Sequence, residues 1–253
     1  MTSVCLNTEL DPRYVRGRWE DESLLRPGGL DLTKRAMALC RVDSNACVLD
    51  LGCGAGISSR YLRKGLGFEV IGIDVSLAAC REARETAEQV VQADARHLPL
   101  PSASIDAVLA ECSLSLMDKT KVLGECFRVL KPTGRLILTD IYVRNVEAVA
   151  RLRELGGACF SQVMSQDELE TELARHEFEI ERWEDHSSLL KPLLFRWLMQ
   201  HGSLGPLFAC EGSAAEPDST RLQQALREAR LGYFLLIAVK QNAAAVLAEG
   251  ETS

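Results

Sequence analysis

The chain has no apolar run near the about 20 residues that cross a bilayer; the longest near its end, Tyr233 to Val239, is far too short. None of its nine cysteines forms a C-x-x-C pair, and the count is odd, so no disulfide framework is expected. It has no excess of positive charge. Lys and Arg total 29 against 36 Asp and Glu, a net charge of -7 with a pI near 5.3, which argues against a nucleic-acid track or an anionic membrane surface. Met1 to Leu10 lacks the basic start and apolar core of a secretion leader. These absences predict a cytoplasmic protein whose partner is a small molecule; monomer and homodimer both stay open. With 253 residues, 47% of them hydrophobic, the chain can bury a full core and is read as one domain over 1–253.

Cys47 to Leu62, C-V-L-D-L-G-C-G-A-G-I-S-S-R-Y-L, organises the rest. A short apolar run meets closely spaced glycines, then helical spacing resumes at Ile57, Tyr61 and Leu62: a buried strand, a tight turn and a helix start. Glycines 52, 54 and 56 strip the turn of Cβ atoms, so backbone can approach a nucleotide-like ligand. One residue type is again missing. A dinucleotide fingerprint places a third glycine where Ile57 stands, which disfavours a nicotinamide cofactor and an oxidoreductase. Asp50 at the strand end would repel a pyrophosphate yet can receive a cation.

An acid, one residue, then G-x-G-x-G resembles the glycine motif of class I S-adenosylmethionine-dependent methyltransferases, whose cofactor carries a sulfonium and an aminium and no phosphate. Further motifs follow in order. Phe68 to Ile73 reads as a second strand, with Asp74 and Val75 at its end; a carboxylate there can accept from ribose hydroxyls. Leu77 to Gln89 reads as a solvated surface helix. Val90 to Ala93 is a third strand leading into A-D-A-R and L-P-L-P, where the resemblance gives Asp94 and Ala95 contacts to the adenine. Ile105 to Ala110 is a fully apolar fourth strand ending at Glu111 and Cys112. After a helix from Lys119 to Leu130, the turn Lys131-Pro132-Thr133-Gly134 opens a fifth strand, Arg135 to Ile141. The string from Ala93 to Leu138 is similar to small-molecule methyltransferases that include quinone-ring C-methylating enzymes.

The resemblance implies an α/β fold: a doubly wound, mainly parallel seven-stranded sheet with an antiparallel last strand and helices on both faces. It implies S-adenosylmethionine as cofactor, held by Asp50, Gly52, Cys53, Gly54, Asp74, Val75, Asp94, Ala95, Glu111 and Cys112, with Asp50, Asp74, Asp94 and Glu111 converging on one rim. Residues 1–40 are read as a cap beside the pocket, with Tyr14, Trp19 and Arg26 either lid residues or simple anchors, and Asp31 and Thr33 as caps of a helix from Leu30. Later helices run over Val146 to Leu155 and Asp167 to His176, before a sixth strand at Phe178 to Trp183. Leu189, Leu190, Leu193, Leu194, Trp197 and Leu198 share one helix face, a further helix covers Thr220 to Arg230, and the last strand is Gly232 to Lys240. Family topology puts that strand antiparallel between the fifth and sixth. The stretch 186–231, long for a connection between neighbouring strands, is expected to be a helical insertion over an acceptor pocket, and 241–253 a frayed tail.

Methyl transfer from a sulfonium needs mainly alignment, so the catalytic group can be faint. Candidates for a base are Asp140 and Tyr142 after the fifth strand, Glu111 and Cys112 after the fourth, and His186. Asp140 as a strand-end contact, and His186 as part of a wet turn, are the plainer readings. Cys112 with Cys159, in G-G-A-C-F, also looks like part of the thiol set of arsenite methyltransferases, although Cys210 lies too far upstream to complete it. A non-catalytic protein keeping the fold and its cofactor is the remaining alternative.

Overall fold

The protein is described by a computed structural model over residues 26–43, 45–86, 89–156, 160–202 and 219–241. Tyr14, Trp19, Cys159, Cys210 and the tail from 242 onward lie outside the described residues. Helix α1 (Gly29–Cys40) leads into β1 (Cys47–Leu51), the glycine turn and α2 (Ile57–Arg60), which widens into a π-type turn at Tyr61–Gly65. Then come β2 (Glu69–Asp74), α3 (Leu77–Thr86), β3 (Val90–Gln92), β4 (Ile105–Glu111), a 3-10 turn at Leu114–Leu116, α4 (Lys119–Val129) and β5 (Leu130–Val143). The later part holds α5 (Val149–Gly156), α6 (Gln166–Arg175), β6 (Phe178–Asp185), α7 (Leu190–His201), α8 (Ser219–Ala229) and β7 (Leu231–Lys240).

The strands form one seven-stranded sheet in the order β3-β2-β1-β4-β5-β7-β6, parallel except for β7, which runs antiparallel to both β5 and β6. This is the expected topology. Alternate strand residues bury on opposite faces because side chains alternate along a strand. Val48, Leu109, Ile137 and Tyr233 pack beneath Leu32, Ala36 and Met37 of α1. Leu49, Leu51, Val108, Leu136 and Leu138 pack on the other face with Val122, Leu123 and Cys126 of α4. Each such side chain removed from water stabilises the fold by about 1.5–3 kcal/mol. Strand order reverses between β1 and β4, and the crevice at their carboxyl ends is where ligands bind in sheets of this kind.

Two local expectations need correcting. Helix α1 is not capped by Asp31 or Thr33: Gly28, with φ +81°, occupies the N-cap without a side-chain bond, Asp31 pairs with Lys34, and Thr33 turns toward Glu111. Strand β5 starts at Leu130 rather than Arg135. Leu130 already pairs with Ile105, and Lys131 to Gly134 bulge out of the ladder before Arg135 rejoins it opposite Ala107. The Lys131 ammonium holds Asp106 across the bulge at 2.8 Å. By contrast α6 begins on a full capping box, Ser165 accepting from the Glu168 N–H while Glu168 accepts from the Ser165 N–H.

Candidate active site

Gly52, Gly54 and Gly56 all adopt left-handed backbone, φ +75°, +52° and +77°, which accounts for glycine at each. At Gly52 there is a second reason: a Cβ would lie 2.6 Å from the Ser113 Cβ. Ser113 donates its hydroxyl to the Leu51 carbonyl at 2.9 Å, so the β4 end is laced to the β1 end across the strand reversal. The loop is tied to β2 by N–H groups of Gly52 and Cys53, both donating to the Ile73 carbonyl, and by the Gly54 N–H donating to Asp74 Oδ2 at 2.9 Å. Asp74 Oδ1 accepts the Ser76 N–H at 2.8 Å, so one carboxylate organises both turns.

A cavity of about 400 Å³ opens beside this loop. Of the ten residues expected there, Gly52, Asp74, Val75, Asp94, Ala95 and Cys112 lie on its wall; Asp50, Cys53, Gly54 and Glu111 do not. Strand alternation explains two of the four. Asp50 follows Val48, and Glu111 follows Leu109, on the face packed under α1, so both point behind the loop rather than into the crevice. The expectation that four carboxylates share one rim therefore holds for Asp74 and Asp94 alone. Cys53 packs with Cys80, Ala83 and Val90, and burial pushes its thiol up. Gly54 faces open space with its N–H already committed to Asp74.

Behind the loop the two acids build a buried polar cluster. Glu111 accepts from Thr33 at 2.8 Å and Ser58 at 2.5 Å and pairs with Arg26 at 3.1 Å; Arg26 also donates to both hydroxyls. Arg26 thus anchors the segment before α1 to the end of β4. Asp50 accepts from Ser59 at 2.6 Å, and burial, opposed by that bond and reinforced by Glu111, raises its pKa to about 7. A carboxyl that titrates near 7 when folded and about 4 when unfolded binds more protons in the native state between those values. Stability from Asp50 is therefore present at about pH 4 and lost as pH rises through about 7. Asp50→Asn, which keeps an acceptor for Ser59, is expected to raise Tm at pH 8 and hardly at pH 4.5, the gain in unfolding free energy at pH 8 being about 4 kcal/mol. Equal Tm shifts at the two pH values would remove this account.

Residues not anticipated complete the first cavity. Arg96 grips Asp94 through Nε at 2.9 Å and Nη2 at 2.5 Å, holding that carboxyl below its usual range. Ser113, Leu116, Met117 and Asp118, from the turn after β4, form the opposite wall. Arg128 of α4 donates to the Leu98 and Leu100 carbonyls while Glu125 accepts the Leu98 N–H, which fixes the L-P-L-P segment. The Leu114–Leu116 turn sits where a strand end meets the crevice, and that position was the available signal for it.

A second cavity, about 520 Å³ and lined mainly by apolar side chains, lies on the other side of Cys112 and Leu116, which border both. Cys112 has left-handed backbone, φ +51°, with its N–H on the Thr139 carbonyl. Its thiol meets the Tyr233 hydroxyl at 3.0 Å, and burial pushes the thiol strongly up, so it stays protonated. Asp140 is on this wall, buried, with Oδ2 accepting the Ser115 N–H at 2.8 Å and Oδ1 the Ile141 N–H at 2.7 Å. Burial raises its pKa against those bonds and the nearby Lys119 ammonium. Lys119 is itself buried and depressed to about 8. Three base candidates are not on this wall, Glu111 being held behind the glycine loop by Ser58 and Thr33. Tyr142 is packed edge-on against Trp183 and Phe234, its hydroxyl taken by Arg144; His186 bonds Glu184, which Arg35 holds at 2.6 Å. Among the described residues no three His, Cys, Asp or Glu gather as an ion site, and no helix is long and apolar enough to cross a membrane.

Comparison with known proteins matches residues 49–138, the glycine loop through β5, to a family described as methyltransferase domain. The chain is 33% identical over 243 residues to 27-O-demethylrifamycin SV methyltransferase of Amycolatopsis mediterranei, covering 89% of each. It is 40% identical over 99 residues to 2-methyl-6-phytyl-1,4-hydroquinone methyltransferase of Synechocystis, covering 37% of this chain and 31% of that one. Against several other curated relatives it spans about half of their length. The crystal structure of the 4+2 cyclase SpnF superposes with a TM-score of 0.68 at 26% identity, covering 92% of this chain and 85% of that one. Identity of 33% sustained over 89% of both chains, on a sheet of this order, makes the chain a member of the S-adenosylmethionine-dependent methyltransferases.

Proposed function

We propose that the chain methylates a hydroxyl of a largely apolar small molecule, with the methyl donor in the first cavity and the acceptor in the second. The carrying observation is the shared wall: Cys112 and Leu116 border both cavities, so donor and acceptor would meet there. The donor fits the first cavity because Gly52 brings bare backbone to its wall and Asp74 and Asp94 line it with carboxylates suited to amines and hydroxyls. Gly52, Asp74, Val75, Asp94, Ala95 and Cys112 would hold it. Asp50, Cys53, Gly54 and Glu111 support the loop from behind.

S-adenosylmethionine, when bound, supplies a methyl group on a sulfonium, a leaving group needing no further activation. The protein aligns the acceptor, a contribution on the order of 7–11 kcal/mol. Asp140 takes the proton from the acceptor oxygen; its burial makes it a stronger base than an exposed carboxylate, and Lys119 favours its charged form. The Cys112 thiol, kept neutral, shapes the wall and forms no bond. The expected cap at 1–40 and helical cover at 186–231 lie partly outside the described residues; within them, Pro27 and wall residues from α7 and α8 support a cover on the acceptor side. A reducing, cytoplasmic setting agrees with the described cysteines being free thiols.

Incubating the protein with methyl-labelled S-adenosylmethionine and a panel of apolar phenols, hydroquinones and macrocyclic alcohols tests the proposal. Label on an acceptor oxygen, retained in Cys112→Ser, is the expected result. A second reading, in which the fold holds the donor without transferring it, draws support from the likeness to a cyclase. It wins if bound donor never loses its methyl group to any acceptor in the panel.

A further inference from the structure

The second cavity has an electrostatic character opposite to that of the whole chain. The protein carries a net charge of -7, yet this wall includes Arg144, Lys191, Arg227 and Arg230 against a single acid, the buried Asp140. Arg144 is occupied, its guanidinium pairing with Asp185 at 2.6 Å and donating to the Ser187 hydroxyl. Lys191, Arg227 and Arg230 have no acidic partner among the described residues. The acids on the neighbouring elements are engaged elsewhere: Glu184 with Arg35, Glu228 with Arg151 and Asp185 with Arg144.

Helix electrostatics explains part of this arrangement. Arg227 and Arg230 lie at the C-terminal end of α8, where cations are favoured. Lys191 is in the first turn of α7, the end where a cation is disfavoured, so the dipole does not account for it. The Arg144 N–H bonds the Ala229 carbonyl at 3.2 Å, which brings the end of β5 and the end of α8 together at one edge of the cavity. The interior between them is Leu193, Leu194, Leu226 and Phe160.

We infer that the acceptor is an amphipathic acid: an apolar body lying among these leucines and one carboxylate or phosphate held by Lys191, Arg227 and Arg230, with the reacting hydroxyl at Asp140. An anion there exchanges water for charge-assisted bonds beside a low-dielectric wall, and the guanidinium forks suit either oxyanion. This deepens the acceptor half of the methyl-transfer reading and rests on it.

Calorimetry on the full chain with decanoate, decyl phosphate and decan-1-ol tests the subsite without knowledge of the natural acceptor. Both anions are expected to bind at least about tenfold more tightly than the alcohol at low salt, with the advantage shrinking as ionic strength rises. In Arg227→Gln/Arg230→Gln the advantage falls to about twofold or less, while the alcohol's affinity stays within about twofold of the parent. Both side chains are exposed, so the variant keeps its fold. Equal binding of the three probes, an advantage surviving the double variant, or no binding of any probe overturns the inference. S-adenosylhomocysteine titrated into the same samples reports separately on the donor cavity: its failure to bind with the anion preference intact would sink the methyl-transfer reading and leave the anion site standing.

Discussion

Asp140→Asn is expected to lower kcat by about 10²- to 10⁴-fold with the first acceptor that takes label, the range for loss of a positioned general base. The carboxylate is buried on the acceptor wall, and each oxygen already accepts one backbone N–H, from Ser115 and Ile141. Each oxygen retains a further lone pair, so proton uptake does not require the carboxylate to leave its place. Since burial raises the Asp140 pKa, the protonated and inactive form persists above the ordinary carboxylate range. The parent's kcat is therefore expected to fall as pH drops through that raised pKa, and the limb to vanish in the variant. S-adenosylhomocysteine affinity, measured on the same preparation, should stay within about threefold, which separates loss of the base from loss of the fold. A variant with near-parental kcat and an unchanged pH limb would assign the base elsewhere and leave Asp140 as a strand-end contact.

Asp74→Ala is expected to weaken S-adenosylhomocysteine binding by at least about 100-fold by calorimetry, the equivalent of roughly 3 kcal/mol. Two losses combine. The wall loses a carboxylate that lines the cavity, and charge-assisted bonds of the kind it can make contribute about 1.5–3 kcal/mol each. The N–H groups of Gly54 and Ser76 lose their acceptor at the same time, so the glycine loop is no longer held to the end of β2. Asp74→Asn distinguishes the two, because an amide keeps one acceptor for the loop but replaces the other with a donor. It is expected to fall between parent and alanine variant. Affinity within about threefold of the parent in Asp74→Ala would exclude Asp74 from the donor site.

The parts of this protein legible from residues alone are those where a local rule and the tertiary fold coincide. The seven strands are readable from apolar runs, turn residues and a glycine loop, each of which acts over a few residues, whereas their order and the antiparallel last one came from the resemblance to the methyltransferase family. Gly52 was legible because left-handed backbone favours glycine in any context, and Asp74 because it stands at the end of a strand next to that loop. The helix expected from Asp167 starts one residue earlier, at Gln166, where Ser165 and Glu168 form a capping box that the expectation left out.

Direction and pairing were decided only in three dimensions. Asp50 and Glu111 occupy strand ends just as Asp74 does, yet the period-two alternation of β1 and β4, once those strands lie against α1, turns both behind the loop toward Ser59 and Arg26. Arg26 and Glu111 are far apart in sequence and meet only because α1 packs on the sheet face where the end of β4 buries Glu111. The same holds for the basic edge of the acceptor cavity, whose residues come from the ends of β5, α7 and α8. Composition reported an acidic chain, and the local inversion of that charge arises from packing three distant segments around one apolar hollow. Short-range backbone chemistry thus determined the scaffold and the glycine loop, whereas the second cavity depends on long-range contacts that have no local signature in the chain.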